Sequence, residues 1–304
     1  MMFKNVLLDL GSTVDGRLVA HVADFCRKAD AELTVLNVFE EPSRSVSSYF
    51  SAHHKDLQNI ILENYGEQLD KALSDSGLDA QAFTREVRWG KDFIEAIKLV
   101  HERKFDLLIS ASQENAGPPD STAMHLMRKS PCPVWIHRGD LWKGAVRVLA
   151  AVNTSDTSDE NRRLNAKIIR HGMHVNNILR GHLHIISCWS GYMESVLSSP
   201  RFSEQEKVDY LDFEQKQTEQ ELAALVKAEG VPDTAKTKII HGSPAQVIPR
   251  YAAEQKMDVV VMGSVARTGI PGLLVGNTAE KIVANLDNSI LAIKPDGFVS
   301  PVSG

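Results

Sequence analysis

Apolar residues follow one another along this chain in two alternating rhythms. In the first, three or four stand side by side, as in Val6-Leu7-Leu8, Leu107-Leu108-Ile109 and Val259-Val260-Val261-Met262. Runs without polar alternation belong to strands buried on both faces, the condition of a parallel sheet. In the second, apolar residues recur every three or four positions: Leu18, Val22, Phe25 and Cys26, then Leu57, Ile60, Ile61, Leu69 and Leu73, then Phe93, Ile97 and Val100. That spacing predicts helices with one apolar face. The two patterns taking turns predict α/β units in which helices cover both faces of a parallel sheet of about five strands, a three-layer α/β/α fold.

The pattern is written twice. Asn5-Val6-Leu7-Leu8-Asp9-Leu10-Gly11-Ser12 is answered by Arg147-Val148-Leu149-Ala150-Ala151-Val152-Asn153-Thr154-Ser155, and Ala31 to Val38 by Gly181 to Cys188. Trp89-Gly90-Lys91-Asp92-Phe93-Ile94 is answered by His241-Gly242-Ser243-Pro244-Ala245-Gln246, and Phe105 to Ser110 by Met257 to Met262. Ser121-Thr122-Ala123 matches Asn277-Thr278-Ala279, and Pro133 to Ile136 matches Ser289 to Ala292. Six elements in one order, at an offset that grows from 142 to 156 residues, predict two homologous domains. They are placed at residues 1–140 and 145–304, joined across His137 to Gly144.

Composition narrows the partners. The 304 residues are 43% hydrophobic and 24% charged, with a net charge of −5. These are the proportions of an ordinary globular protein, and the negative balance argues against nucleic acid or an anionic membrane surface as main partner. No stretch reaches the roughly eighteen apolar residues of a membrane span. Cys26, Cys132 and Cys188 are too few and too scattered for a disulfide framework, so a reducing cytoplasm is the simplest home.

The stretch from Val259 to Glu280 carries the clearest candidate chemistry. A strand-length apolar run leads into a loop holding Gly263, Gly269, Gly272 and Gly276, and then into a helix start. Glycines leave backbone N–H groups open to an anion, and the positive end of a following helix favours one. Asn277, with Glu280 three residues on, reads as an N-cap with a capping box, starting the helix just after Gly276. Arg267 is the only cation of the loop. A turn that binds nothing is the alternative these residues allow. No G-x-x-x-x-G-K-[ST] element occurs, nor a G-x-G-x-x-G followed about twenty residues later by an acidic residue.

With its repeat, this loop resembles the universal stress protein family in its tandem, two-domain form, over almost the whole chain. Nucleotide-binding members carry G-x2-G-x9-G-[S/T] after the fourth strand; Gly263 and Gly276 match the first and third glycines, Ala266 stands at the second and Asn277 at the Ser/Thr. The family's acidic residue at the end of the first strand, which helps hold the adenosine end, is matched by Asn153. The resemblance implies that the C-terminal domain binds ATP or a related adenine nucleotide, with Mg²⁺. Its contacts would be Asn153, Met262, Gly263, Ala266, Arg267, Gly276, Asn277 and Thr278. Amides of 276 to 278 would hold phosphates, Met262 would lie near sugar or base, and Ser264 in the loop near the phosphates.

Each departure has a physical reading. Ala266 adds a methyl group, Asn277 keeps a donor, and Asn153 replaces an acceptor-only carboxylate with a group that also donates. In the first domain Ala111 and Asp120 replace the first and third glycines, and Asp120 sets a negative charge where phosphate would lie. Leu10 takes the adenosine-recognising position, with Asp9 beside it on the opposite strand face. That domain is expected not to bind nucleotide in the family's mode. The resemblance also implies an intramolecular pseudo-dimer through the last strands, Pro133 to Ile136 and Ser289 to Ile293, with a further homodimer left open.

Other residues invite weaker readings. His182 and His184 share a strand face with Cys188, and His171 and His174 lie three apart on a helix, which would suit a zinc ion; eleven histidines also bring some together by chance. The segment Ser155 to Glu160 reads as an N-cap and acidic first turn near Asn153, where it could assist Mg²⁺. Gly263-Ser264-Val265 is not a nucleophile elbow. With no evident catalytic base and no Walker lysine, efficient hydrolysis is not expected. The expectation is a regulatory, nucleotide-binding stress-response protein. A non-nucleotide interaction module, an apolar-metabolite binder and a slow ATPase are the alternatives.

Overall fold

A computed structural model describes residues 2–52, 56–77, 82–112, 119–139, 141–142, 144–191, 194, 199, 201–264 and 276–302. The first half of the chain supplies strands β1 (Asn5–Asp9), β2 (Glu32–Phe39), β3 (Thr84–Trp89), β4 (Leu107–Ala111) and β5 (Val134–His137). With them run helices α1 (Gly16–Ala29), α2 (Arg44–Ala52), α3 (Leu57–Ser76), α4 (Asp92–Arg103) and α5 (Ser121–Lys129). The second half supplies β6 (Arg147–Val152), β7 (His182–Trp189), β8 (Lys236–His241), β9 (Val259–Gly263) and β10 (Ser289–Ile293). Its helices are α6 (Asp159–Leu179), α7 (Glu204–Ala228), α8 (Pro244–Glu254) and α9 (Asn277–Ala284).

Strand order is β3-β2-β1-β4-β5 in the first half and β10-β9-β6-β7-β8 in the second. Val6 to Leu8, Val148 to Val152, Val259 to Met262 and all of β10 are buried at every position, so both faces of each sheet are covered. The expected three-layer α/β/α domains, each on a parallel five-stranded sheet, are what the chain forms. Helix ends follow the repeat as well: α1 and α6 close on Asp30 and Arg180, both left-handed, at φ 53° and 48°. Two compact units divide the chain, one of residues 1–111, 121–134 and 300–304, the other of 112–120 and 135–299.

Sheet register corrects one correspondence between the halves. Asn5 pairs with Glu32 as Arg147 pairs with His182, so β1 and β6 match residue for residue. Position 153 therefore corresponds to Gly11, and Leu10 corresponds to Val152 inside the strand. Strand β6 is one residue longer than β1, so the adenosine-recognising position expected at Leu10 falls at Gly11 in register.

Candidate functional site

In the second unit β6 lies between β7 and β9, and the chain leaves these neighbours in different directions beyond their carboxyl ends. A crevice opens at such a point in a doubly wound sheet. Here it is a cavity of about 670 Å³. Its floor is apolar, made by Val152, Ile168, Ile248, Met262 and Ile282. Asn153, Met262, Gly263, Gly276, Asn277 and Thr278 all line it, so six of the eight residues named from sequence come from three separate segments to one wall. Ala266 and Arg267 lie outside the described residues.

The start of α9 differs from the expectation. Gly276 is the N-cap, in extended conformation at φ −71° and ψ 137°, and no side chain caps the helix. Asn277 is the first helical residue, so its side chain cannot reach back over the turn, and no capping box with Glu280 forms. A glycine N-cap brings no side-chain acceptor of its own to the first-turn amides, which lie at the cavity beside the positive end of the helix. Lys281, one turn further along, lines the same cavity. Asp156 and Glu160 line it as well. An anion is favoured beside the first turn of α9 and disfavoured beside these two carboxylates. The α6 start is as expected, with Ser158 as N-cap accepting from the Asn161 amide at 3.3 Å, and Asp159 and Glu160 in the first turn.

Asn153 is held by residues the sequence reading missed. Its amide donates to Oδ1 of Asn165 at 3.0 Å, and its carbonyl accepts from Nδ2 of Asn165 at 2.8 Å and of Asn161 at 2.6 Å. Asn165 is 3% exposed, and a buried asparagine on a helix signals that something upstream needs its two-sided bonding. With the backbone of Asn153 pinned, its own side chain is exposed at the mouth. Thr154 is fixed in turn by Ser187, which accepts from its amide at 3.1 Å.

Gly263 has a packing reason to be glycine: a Cβ there would stand 3.0 Å from Cδ2 of Leu164 on α6. Ser264 turns away from the cavity lining. It is 1% exposed, and its amide and hydroxyl both donate to the carbonyl of Ile293, at 3.1 and 3.4 Å. Cys188 lines the cavity, and burial pushes its thiol up to about 11. The histidines have other bonds. Nδ1 of His171 lies 2.7 Å from the Lys167 carbonyl, and burial lowers this ring to about 4; His184 bonds the Tyr251 hydroxyl at 3.0 Å and is lowered by the same cause. Among the described residues no three His, Cys, Asp or Glu gather as metal ligands.

The corresponding region of the first unit is built differently. The Asp9 carboxylate accepts from the Gly11 amide at 3.1 Å, and Asn37 donates to the carbonyls of Gly11 and Thr13 at 2.9 and 3.1 Å. Tyr65 in turn donates to Oδ1 of Asn37. Gly11 has φ +55°, and an added Cβ would meet Oδ2 of Asp92 at 2.9 Å. Asp92 corresponds to Pro244 of the other unit's cavity wall. Asp120 directly precedes α5, the place Gly276 holds before α9.

Fold, repeat and loop together define a class, and the comparisons state it. The profile described as "Universal stress protein family" matches residues 2–138 and 179–294, so the chain belongs to the universal stress protein family, with the domain in tandem. Among individual proteins, the universal stress protein E homolog of Haemophilus influenzae is 25% identical over 97% of this chain and 98% of its own. Universal stress protein E of Escherichia coli K12 is 30% identical over 60% of this chain and 57% of its own. A universal stress protein from Archaeoglobus fulgidus superposes with a TM-score of 0.59 at 18% identity, covering 95% of this chain and 98% of that one. A functionally unknown protein from Pseudomonas aeruginosa PAO1 gives 0.69 at 20% identity, covering 97% and 93%. At those identities the structural likeness speaks for the fold. Among the described residues no helix is long and apolar enough to cross a membrane.

Proposed function

We propose that the second unit binds ATP or a related adenine nucleotide, and that the protein is a cytoplasmic stress-response regulator acting through this binding. The supporting observation is the convergence of Asn153, Met262 and the glycine-capped first turn of α9 on one cavity of nucleotide size. In this reading the base and sugar lie over the apolar floor near Met262 and Asn153. Phosphates lie at the amides of 276 to 278 and near Lys281. Mg²⁺ comes with the phosphates, and Asp156 and Glu160 are the lining carboxylates able to add oxygen ligands. Binding shifts a conformational or partner equilibrium, and turnover is at most slow. We place the domains at 1–140 and 145–304, with a homodimer of chains as a further level to be read by light scattering.

The apolar floor also favours a second reading, in which the cavity takes an apolar metabolite and the protein works as an interaction module. Gly276→Asp separates the two. Gly276 has φ −71°, which aspartate adopts freely, and aspartate at an N-cap strengthens a helix. The variant therefore folds at least as well while placing a carboxylate where phosphate would bind. ATP-Mg at one hundred times its Kd should stabilise the wild type by about 2.7 kcal/mol and the variant not at all. No thermal shift of the wild type at millimolar ATP-Mg defeats the nucleotide reading.

A further inference from the structure

The two repeats differ in how they fill the space between their last two helices. In the first unit Phe93 of α4 stacks on His125 of α5, with centroids 4.3 Å apart and planes at 28°. The Lys129 ammonium lies 4.5 Å from the Phe93 ring. A ring, an imidazole and a cation thus occupy the space between these helices. By the order of the repeat, the corresponding residues in the second unit are Ala245, Lys281 and Asn285. None has a ring. Between α8 and α9 there is instead an open groove of about 590 Å³, walled by Ser243, Ala245, Gln246, Pro249, Lys281 and Asn285. Ser243, Ala245 and Lys281 also wall the larger cavity, so cavity and groove run into each other there.

The homologous space accepts one flat ring when the chain supplies it, and here the chain does not. Lys281 stands at the junction with a charge suited to phosphate. Gln246 and Asn285 are exposed on the groove walls; the Gln246 amide can both donate to and accept from a base edge, while Asn285, whose Nδ2 donates to the Lys281 carbonyl at 2.7 Å, offers its Oδ1 as acceptor. We propose that the second unit takes a dinucleotide: two planar bases joined through a chain of phosphates. One nucleoside lies in the cavity, the phosphates cross the first turn of α9 at Lys281, and the second base enters the α8–α9 groove where the first unit has Phe93. This rests on the nucleotide reading of the cavity and names its ligand class.

The test is calorimetric titration of the whole chain with diadenosine tetraphosphate and with ATP, both with Mg²⁺ and at equal ionic strength. A stacked second base is expected to lower Kd on the order of tenfold relative to ATP. Two plugged variants follow: Ala245→Phe, which restores the first unit's ring, and Gln246→Trp, on the groove wall alone. In each, the ratio of the two Kd values should fall to about two, the statistical advantage of a ligand with two identical ends. A ratio of about two in the wild type, or one that survives both plugs, overturns the inference and leaves ATP binding standing. Absence of ATP binding overturns the reading beneath it as well.

Discussion

The clamp on Asn153 gives the sharpest stability prediction. Asn165→Ala removes two hydrogen bonds to one backbone residue, the 3.0 Å acceptor of its amide and the 2.8 Å donor to its carbonyl. Each such bond contributes about 1 kcal/mol net, and leaving the amide unpartnered costs about a further 1 kcal/mol. The carbonyl keeps Asn161 at 2.6 Å, so no further penalty falls on it. The expected loss is about 3 kcal/mol, or about 6–12 °C in Tm for a unit of this size. Asn161→Ala leaves the Asn165 pair in place but removes the donor to the carbonyls of Asn153 and Asp156, at 2.6 and 2.5 Å, and should cost about 2 kcal/mol. Urea unfolding of the whole chain, followed by circular dichroism, measures both, with the transition of the second unit as the one displaced. A loss below about 0.5 kcal/mol for Asn165→Ala, or equal losses for both variants, would refute the clamp, since ordinary surface changes fall in that range.

Three further outcomes follow from other places in the fold. Gly16→Ala should cost about 3 kcal/mol in the first unit, because its Cβ would lie 2.4 Å from the Ala72 carbonyl oxygen and backbone must shift; denaturant titration reads this. Burial holds His171 at about 4 against 6.5 in the unfolded chain, so the unfolded state takes the proton first. Stability should then fall by up to about 3 kcal/mol between pH 6.5 and pH 4, and His171→Leu should flatten that part of the curve. Tyr65→Phe removes the donor to Oδ1 of Asn37 and should lower the stability of the first unit by about 1–2 kcal/mol, with nucleotide affinity unchanged in a titration.

Much of this architecture was readable before any coordinates, for a physical reason. Short, β-branched apolar runs such as Val259 to Met262 suit strands covered on both faces, and the second copy of each element supports the first. The helix start after Gly276 was legible too, since glycine followed by Asn-Thr-Ala-Glu breaks one pattern and begins another. Which residue caps it was not, because Gly276 and Asn277 both suit an N-cap and only the backbone angles decide. Asn161 and Asn165 were hidden because polar residues on a helix usually face water. Their role emerges only when α6 is laid along the end of β6. Ser264 misled by proximity: next to a glycine loop in sequence, it turns inward to the Ile293 carbonyl. The contrast of Phe93 with Ala245 was visible in the aligned repeats, but its consequence needed the stack on His125.

The number of nucleotides held by one chain is the most direct test of a single anion site in the second unit. Titration calorimetry with ATP-Mg on the full chain should give one site per chain, abolished by Gly276→Asp and kept in Asp120→Gly without a second site appearing. Two sites per chain in the wild type, or heat that survives Gly276→Asp, would contradict it.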